Sequence, residues 1–276
     1  MESNVKMRVI SADSSPLGEN VLVDIFRYRA LIKNMVMRDL RLKYRDAFLG
    51  FVWSLMLPLF TIFVYYFAFD IILQIGFPNY AVFLVVGLLS WSFFAASVMA
   101  SATVIVDNSG LMRKIAFPWQ ILPVSCVLYH LIQLAFALVV FFPVILLLSH
   151  FRPAWEILYF PLVLSMHVLF TIGVALAVSV VATIWRDIRH VTEMTLPLLF
   201  WMTPILYPFE KAPVPVQMFF QVNPLAAYAI AYQDIVYRGQ MPTTVVSWTM
   251  VAWAVVSPLI GYAVFRRYYT RITEEL

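Results

Sequence analysis

Four histidines, one cysteine and a thin scatter of carboxylates are the residues of this chain that could do chemistry, and their spacing denies them most of it. His130, His150, His167 and His190 form no H-E-x-x-H or other ligand pattern, and Cys126 stands alone in an apolar run. No serine occupies a G-x-S-x-G setting. The eight glycines are dispersed and none precedes a lysine, so no G-x-x-x-x-G-K-[ST] loop exists to cradle a nucleotide phosphate. A carrier driven by protons or sodium buries several ionisable groups near the bilayer centre. Here Asp70 is the one acid read close to the body of an apolar span, and it falls at that span's outer end. His130 and His167 lie inside spans, where hydrogen-bonded packing is a plainer role than proton relay. The chain is read as binding no cofactor or metal, and no residue pattern argues for an enzyme, although one embedded in a membrane stays open. Any work it does must then draw on energy held by a partner.

What the sequence has in quantity is rings: 23 Phe, 14 Tyr and 8 Trp. They gather in two places, Trp53, Phe60, Phe63, Tyr66 and Phe67 in the first apolar run and Phe200, Trp201 and Tyr207 much later. Aromatic faces bind the CH-rich faces of sugars, while Tyr and Trp tips reach hydroxyls. A path lined this way would hold a polymer by many weak contacts and still let it slide. The same rings would also serve as interfacial belts and lipid-facing bulk. Composition leaves both readings open.

The elements that must position these residues are membrane helices. At 63% hydrophobic and 12% charged, the chain is far from the usual soluble composition. Its net charge of +4 comes from cations set beside apolar runs, which points to anionic lipid rather than nucleic acid. The single cysteine cannot form an intrachain disulfide. No cleavable signal peptide is read in the first 24 residues, which are taken as a cytoplasmic tail. From Ile25 to about Asp46, Tyr28, Ile32, Met35, Val36 and Leu40 recur at helical spacing opposite Asn34, Arg38, Arg41 and Arg45, the pattern of a helix lying in the membrane interface.

Charge-free windows then predict an all-α polytopic domain over residues 47–267 with six transmembrane helices. They are Ala47–Phe69, Tyr80–Ile105, a span within Ile121–Ser149, Ile157–Ile184, a short fifth over Met194–Phe209, and Thr243–Phe265. Gly76, Pro78 and Asn79 signal the turn between the first two. The fifth reaches only about 24 Å at 1.5 Å per residue. After it, Pro213, Pro215 and Pro224 break Ala212–Gln233 into short re-entrant or interfacial helices. Residues 268–276 are read as a tail. Of the 19 Lys and Arg, only Arg152, Lys211 and Arg238 fall on the outer side, so both termini are expected in the cytoplasm. The charged loop at Trp185-Arg186-Asp187-Ile188-Arg189 can be a rigid contact for a cytosolic motor or a plain positive-inside loop.

Several stretches carry a family likeness. Arg38-Asp39-Leu40-Arg41-Leu42-Lys43-Tyr44-Arg45 runs into Leu49-Gly50-Phe51-Val52-Trp53-Ser54-Leu55-Met56-Leu57-Pro58. Asn108-Ser109-Gly110-Leu111-Met112-Arg113-Lys114-Ile115-Ala116-Phe117-Pro118 is followed by Ile121-Leu122-Pro123. Trp185-Arg186-Asp187-Ile188, Met202-Thr203-Pro204-Ile205-Leu206-Tyr207 and Asn223-Pro224-Leu225 complete the series. Together, over roughly residues 25–267, the chain resembles the transmembrane subunits of type-2 ABC exporters of bacterial cell-surface polysaccharide, the O-antigen, capsule and teichoic-acid permeases.

The resemblance implies a homodimer in the bacterial inner membrane around a central path, seated on two cytosolic nucleotide-binding ATPase subunits that hold ATP and magnesium. It implies that the amphipathic helix, with Arg38, Arg41 and Arg45, and the Arg186-Asp187 loop contact those ATPases. The first and fifth spans would line the path, the short helices would sit at its outer mouth, and a lipid-linked polysaccharide would enter from the cytosol. An exporter of lipid or hydrophobic drug shares that fold and stays open as an alternative, with a proton-coupled carrier or membrane-embedded enzyme behind it.

Overall fold

The structure, a computed structural model, describes residues 21–44, 50–74, 76, 78–112, 114, 117–148 and 154–275, and every regular element among them is helical. α1 (Val21–Arg27) and α2 (Arg29–Tyr44) meet at a turn on Tyr28, so the amphipathic stretch is two helices rather than one. Ile32, Met35, Val36 and Leu40 are buried, as their spacing requires. The buried face lies on α7 and is fastened near both ends. Gln120 Nε2 donates to the buried Asp24 carboxylate at 2.6 Å, and Lys43 Nζ donates to Gln133 Oε1 at 2.5 Å.

α3 (Gly50–Tyr66) continues into a π-helical turn, Phe67–Ile72, that carries Asp70. The expected turn follows, with Gln74, Gly76 and Asn79 all at positive φ. α4 (Tyr80–Ser101) is a buried helix whose Ser97 and Ser101 hydroxyls donate to carbonyls four residues back, leaving no polar group unmet in an apolar setting. Two single-turn helices, α5 (Val104–Asp107) and α6 (Ser109–Met112), lead to α7 (Ile121–Leu148). A 3-10 turn, Trp155–Tyr159, opens α8 (Phe160–Ile184), and α9 (Asp187–Trp201) follows. Beyond a 3-10 turn at Phe209–Lys211 come α10 (Val214–Val222), α11 (Pro224–Tyr232), a second π-helical turn (Gln233–Arg238) and α12 (Thr244–Glu275).

Among the described residues, four helical stretches are long and apolar enough to cross a membrane: Tyr80–Ser101, Ile121–Pro143, Trp155–Ile184 and Thr244–Arg271. Met56–Ile72 is apolar but shorter, and α9 has 15 residues. Two boundaries differ from the charge-window reading. α9 starts at Asp187 and takes Arg189, His190 and Glu193 onto the helix, then stops at Trp201 because Pro204 disfavours helical geometry at Thr203. α12 passes Arg266, Arg267 and Arg271 without a break and ends at Glu275. Formal charge ends an apolar window, but it does not end a helix.

The tightest packing joins α8 to α12. A Cβ on Gly173 would lie 2.2 Å from the Ser257 backbone, and one on Gly261 would lie 2.1 Å from the Gly173 carbonyl oxygen. Ser257 Oγ donates to the Phe170 carbonyl at 2.8 Å across the same contact. Small residues four apart on α12 let the two backbones touch, which is how helices associate where the solvent itself is apolar. α11 fills the space beside them with Ala226, Ala227, Ala229 and Ala231. Its Tyr228 hydroxyl lies 3.1 Å from the Met166 carbonyl and 3.0 Å from that of Met250, bridging α8 and α12.

Candidate translocation wall and coupling face

The ring-rich face expected on α3 is exposed along much of its length. Phe60, Phe63 and Phe67 point away from the bundle, Phe63 being 61% exposed, and the Phe63 and Phe67 rings stack at 6.4 Å. Tyr66 is half-buried beside them. Trp53 falls on the same helix, with its side chain outside the described ones. On α9 the two neighbours part company. Trp201 is exposed, whereas Phe200 is only 9% exposed and wedges between Tyr65 of α3 (5.8 Å) and Trp91 of α4 (5.7 Å). Phe200 thus faces the interior and ties the two ring-bearing helices together. Tyr207 is half-buried, donates to the Trp201 carbonyl at 3.0 Å and packs on Phe220 of α10. Inside the bundle the contacts continue from Trp91 through Phe94 and Phe170 to Trp253 of α12.

One end of the bundle collects the charged loops. Arg38 Nη1 donates to Asn108 Oδ1 at 3.1 Å while its Nε meets Asp39 at 2.8 Å, so α2 is joined to the turn between α5 and α6. Arg41 is exposed, and Arg45 lies outside the described residues. Arg186 and Asp187, both exposed, open α9. A cavity of about 280 Å³ lies between α2, α5 and α7, and one of about 360 Å³ lies between α5 and the Arg186 loop. Thr103 and Asp107 line both. The two stretches expected to couple to a motor therefore flank the same single-turn helix. Asn108 belongs to one of the stretches that carry the family likeness, and nothing in the sequence foretells its bond to Arg38. Trp119 against Tyr269 and Trp185 against Tyr268 bring the C-terminal half of α12 to this end as well.

The opposite end is held by hydrogen bonds rather than by apolar contact alone. Tyr80 donates to the Leu206 carbonyl at 2.6 Å and Tyr237 to the Pro78 carbonyl at 2.8 Å. Gln233 Nε2 reaches the Pro204 carbonyl at 2.9 Å. Asp234, 2% exposed, meets Arg238 at 2.6 Å, and Arg238 also pairs with Glu210 at 2.8 Å. Burial raises the Asp234 carboxyl pKa, and hydrogen bonds from Arg238 and Gln240 offset part of that rise. Asp70, the acid singled out from the sequence, is only half-buried, whereas Asp234 and Glu156 are buried. Both escaped notice because they sit in short charged connections, where charge is ordinarily solvated. His167 is boxed between Tyr228, stacked at 4.7 Å, and Phe93, edge-on at 5.3 Å, with the Tyr232 hydroxyl 3.3 Å away, a packed ring as expected.

Among the described residues no group of three or more His, Cys, Asp or Glu could hold a metal ion. The arrangement is a helical wall with rings along it and charged handles at one end.

Comparison with known proteins agrees with that geometry. The family model of the ABC-2 type transporter matches residues 30–237. The chain is 32% identical over 227 residues to the O-antigen export system permease protein RfbA of Myxococcus xanthus, covering 79% of this chain and 85% of the relative. It is 29% identical over 242 residues to the protein of the same name from Klebsiella pneumoniae, covering 87% and 92%. With the polysialic acid transport protein KpsM of Escherichia coli it shares 20% identity over 241 residues, covering 86% and 93%. A family match across three-quarters of the chain, coinciding with helices built to cross a bilayer, makes this an integral membrane protein that belongs to the ABC-2 type transporter family.

Proposed function

We propose that this chain is the membrane-spanning subunit of an exporter that moves a lipid-linked polysaccharide, of O-antigen or capsule type, across the bacterial inner membrane. Two copies pair around a central path, and two separate ATPase subunits supply the energy. Each copy crosses the bilayer six times with both ends in the cytoplasm, α3 and α9 completing the count beside the four long spans. The observation that carries this reading is the charge-free ring face of α3, Phe60, Phe63 and Phe67, joined through Tyr65 and Phe200 to α9 with Trp201 exposed. Rings along a wall favour stacking on sugar CH faces over binding of ions. Closure of the ATPases is delivered through α2 (Arg38, Arg41, Arg45) and through the loop of Arg186 and Asp187. Both act on α5, and so on α4 and the wall that α4 supports.

The test is reconstitution of the chain with its ATPase in vesicles, following ATP hydrolysis and glycan export together. Export should require the partner. Arg186→Ala combined with Asp187→Ala should lower export at least tenfold while hydrolysis continues. Full export by that variant, or vigorous export by the lone chain, would overturn the reading. An exporter of lipid or hydrophobic drug would share the fold. Leucine at Trp53, Phe60 and Trp201 separates the two, since such a wall still passes a lipid but holds a sugar poorly.

A further inference from the structure

Residues 268–276 read as a tail in the sequence, yet α12 carries straight through Tyr268 and Tyr269 to Glu275. Neighbouring side chains on a helix point about 100° apart, and these two rings go to different elements. Tyr268 meets Trp185 edge-on, with ring centroids 5.7 Å apart and planes at 73°. Tyr269, 3% exposed, packs on Trp119 at 4.8 Å. Trp119 stands just before Gln120, which holds Asp24 of α1, and Trp185 stands just before Arg186 and Asp187. One helix end thus touches the neighbours of both charged handles.

The corner at Trp185 needs such a tie. Trp185 stands extended between α8 and α9, at φ −115° and ψ 100°. Its N–H donates to the Val181 carbonyl and its own carbonyl accepts from Ile188, so these bonds stay within the same stretch of chain. Among the described residues no ion pair involves Arg186 or Asp187. The Trp185 and Tyr268 rings sit at the spacing and tilt that edge-to-face pairs favour. Arg271 lies over the Tyr268 ring at 5.8 Å and adds a cation–π contact.

The helix that carries Tyr268 is a firm support. Gly173 and Gly261 bring α8 and α12 into backbone contact. Tyr268 follows Gly261 by one heptad, which returns it to within about 20° of the same face. On another side Tyr269 holds α12 against the head of α7. A corner resting on Tyr268 therefore rests on the most closely packed pair of helices in the molecule.

We propose that Tyr268 is a positioning residue for the coupling loop: it holds Trp185, and through it Arg186 and Asp187, at a fixed place on the α8–α12 seam. A push on the loop then moves the seam instead of folding the corner. The proposal rests on the reading of Arg186 and Asp187 as a motor contact, and its test has two arms. In the detergent-purified full chain, a spin label at His190→Cys reports on the exposed start of α9, Cys126 being buried. Tyr268→Ala should make that label more mobile, whereas Tyr268→Phe, which keeps the ring, should leave it at the parent value. In vesicles with the ATPase, Tyr268→Ala should lower glycan exported per ATP hydrolysed about fivefold, the order of effect one aromatic pair supports, with Tyr268→Phe at the parent ratio. Trp185→Ala should do the same, and the two together no more than either alone. Should Tyr268→Ala fold poorly, Trp185→Ala on the half-exposed partner decides. An unmoved label would overturn the proposal. So would a parent-like export ratio beside an Arg186→Ala, Asp187→Ala variant that is uncoupled. Full export by that last variant would instead sink the motor contact itself, and the positioning role with it.

Discussion

The α8–α12 seam and the α3 wall are both apolar helical surfaces, yet they are built in opposite ways. At the seam, side chains shrink to hydrogen and hydroxymethyl, and backbones touch. On α3, side chains grow to rings, and much of that face is exposed among the described residues. In a bilayer, burying apolar surface brings helices no hydrophobic gain, because the lipid is as apolar as they are. Close backbone fit therefore marks what must stay together, and large exposed rings mark what must meet something else.

Substitution can break that contrast from either side. The largest effect is expected at the seam. Gly173→Leu or Gly261→Val drives carbon into backbone 2.1–2.2 Å away and should cost more than the ~3 kcal/mol usual for overpacking, seen as loss of folded protein on a detergent melt. Gly110→Ala, with nothing within 4 Å of its added carbon, should melt like the parent. Next comes Phe200→Ala, which empties the wedge between α3, α4 and α9. About 3 kcal/mol should be lost, and a reporter on α3 should gain mobility relative to one on α8. Arg238→Ala should cost about as much, because it strands the buried Asp234 carboxylate. Adding Asp234→Ala should recover a large part of the melt, the mark of an uncompensated charge rather than a lost contact. Apart from the Gly110 control, the smallest effect on folding belongs to the wall. Phe63→Leu with Phe67→Leu should shift stability by under about 0.5 kcal/mol while glycan export falls. A fold that collapses with those two leucines would show that the ring face is structural after all.

Much of the frame could be read from the order of residues. Helix starts at Tyr80 and Thr244 and the stop at Ile184 follow charge-free windows to within a residue, and the buried face of α2 follows its 3.6-residue spacing. The readings that slipped share a cause. α9 and the end of α12 carry charge on a continuing helix, and charge marks the membrane surface rather than a helix terminus. The seam did leave a signal, Ser257 and Gly261 four apart in an apolar run, but its partner Gly173 lies far away in sequence and only packing joins them. The wedge role of Phe200 was invisible for a similar reason. Adjacent rings on a helix point about 100° apart, and only the position of Trp91 decides which of Phe200 and Trp201 turns inward.

The double fastening of the first helices onto α7 has a mechanical consequence. A strap buckled at one end can flap, and its load goes into bending itself. This strap is buckled twice, by Gln120 at Asp24 and by Gln133 at Lys43, along one side of a single long helix. A push on its exposed flank would reach α7 at both buckles at once, so strap and helix would turn together rather than part.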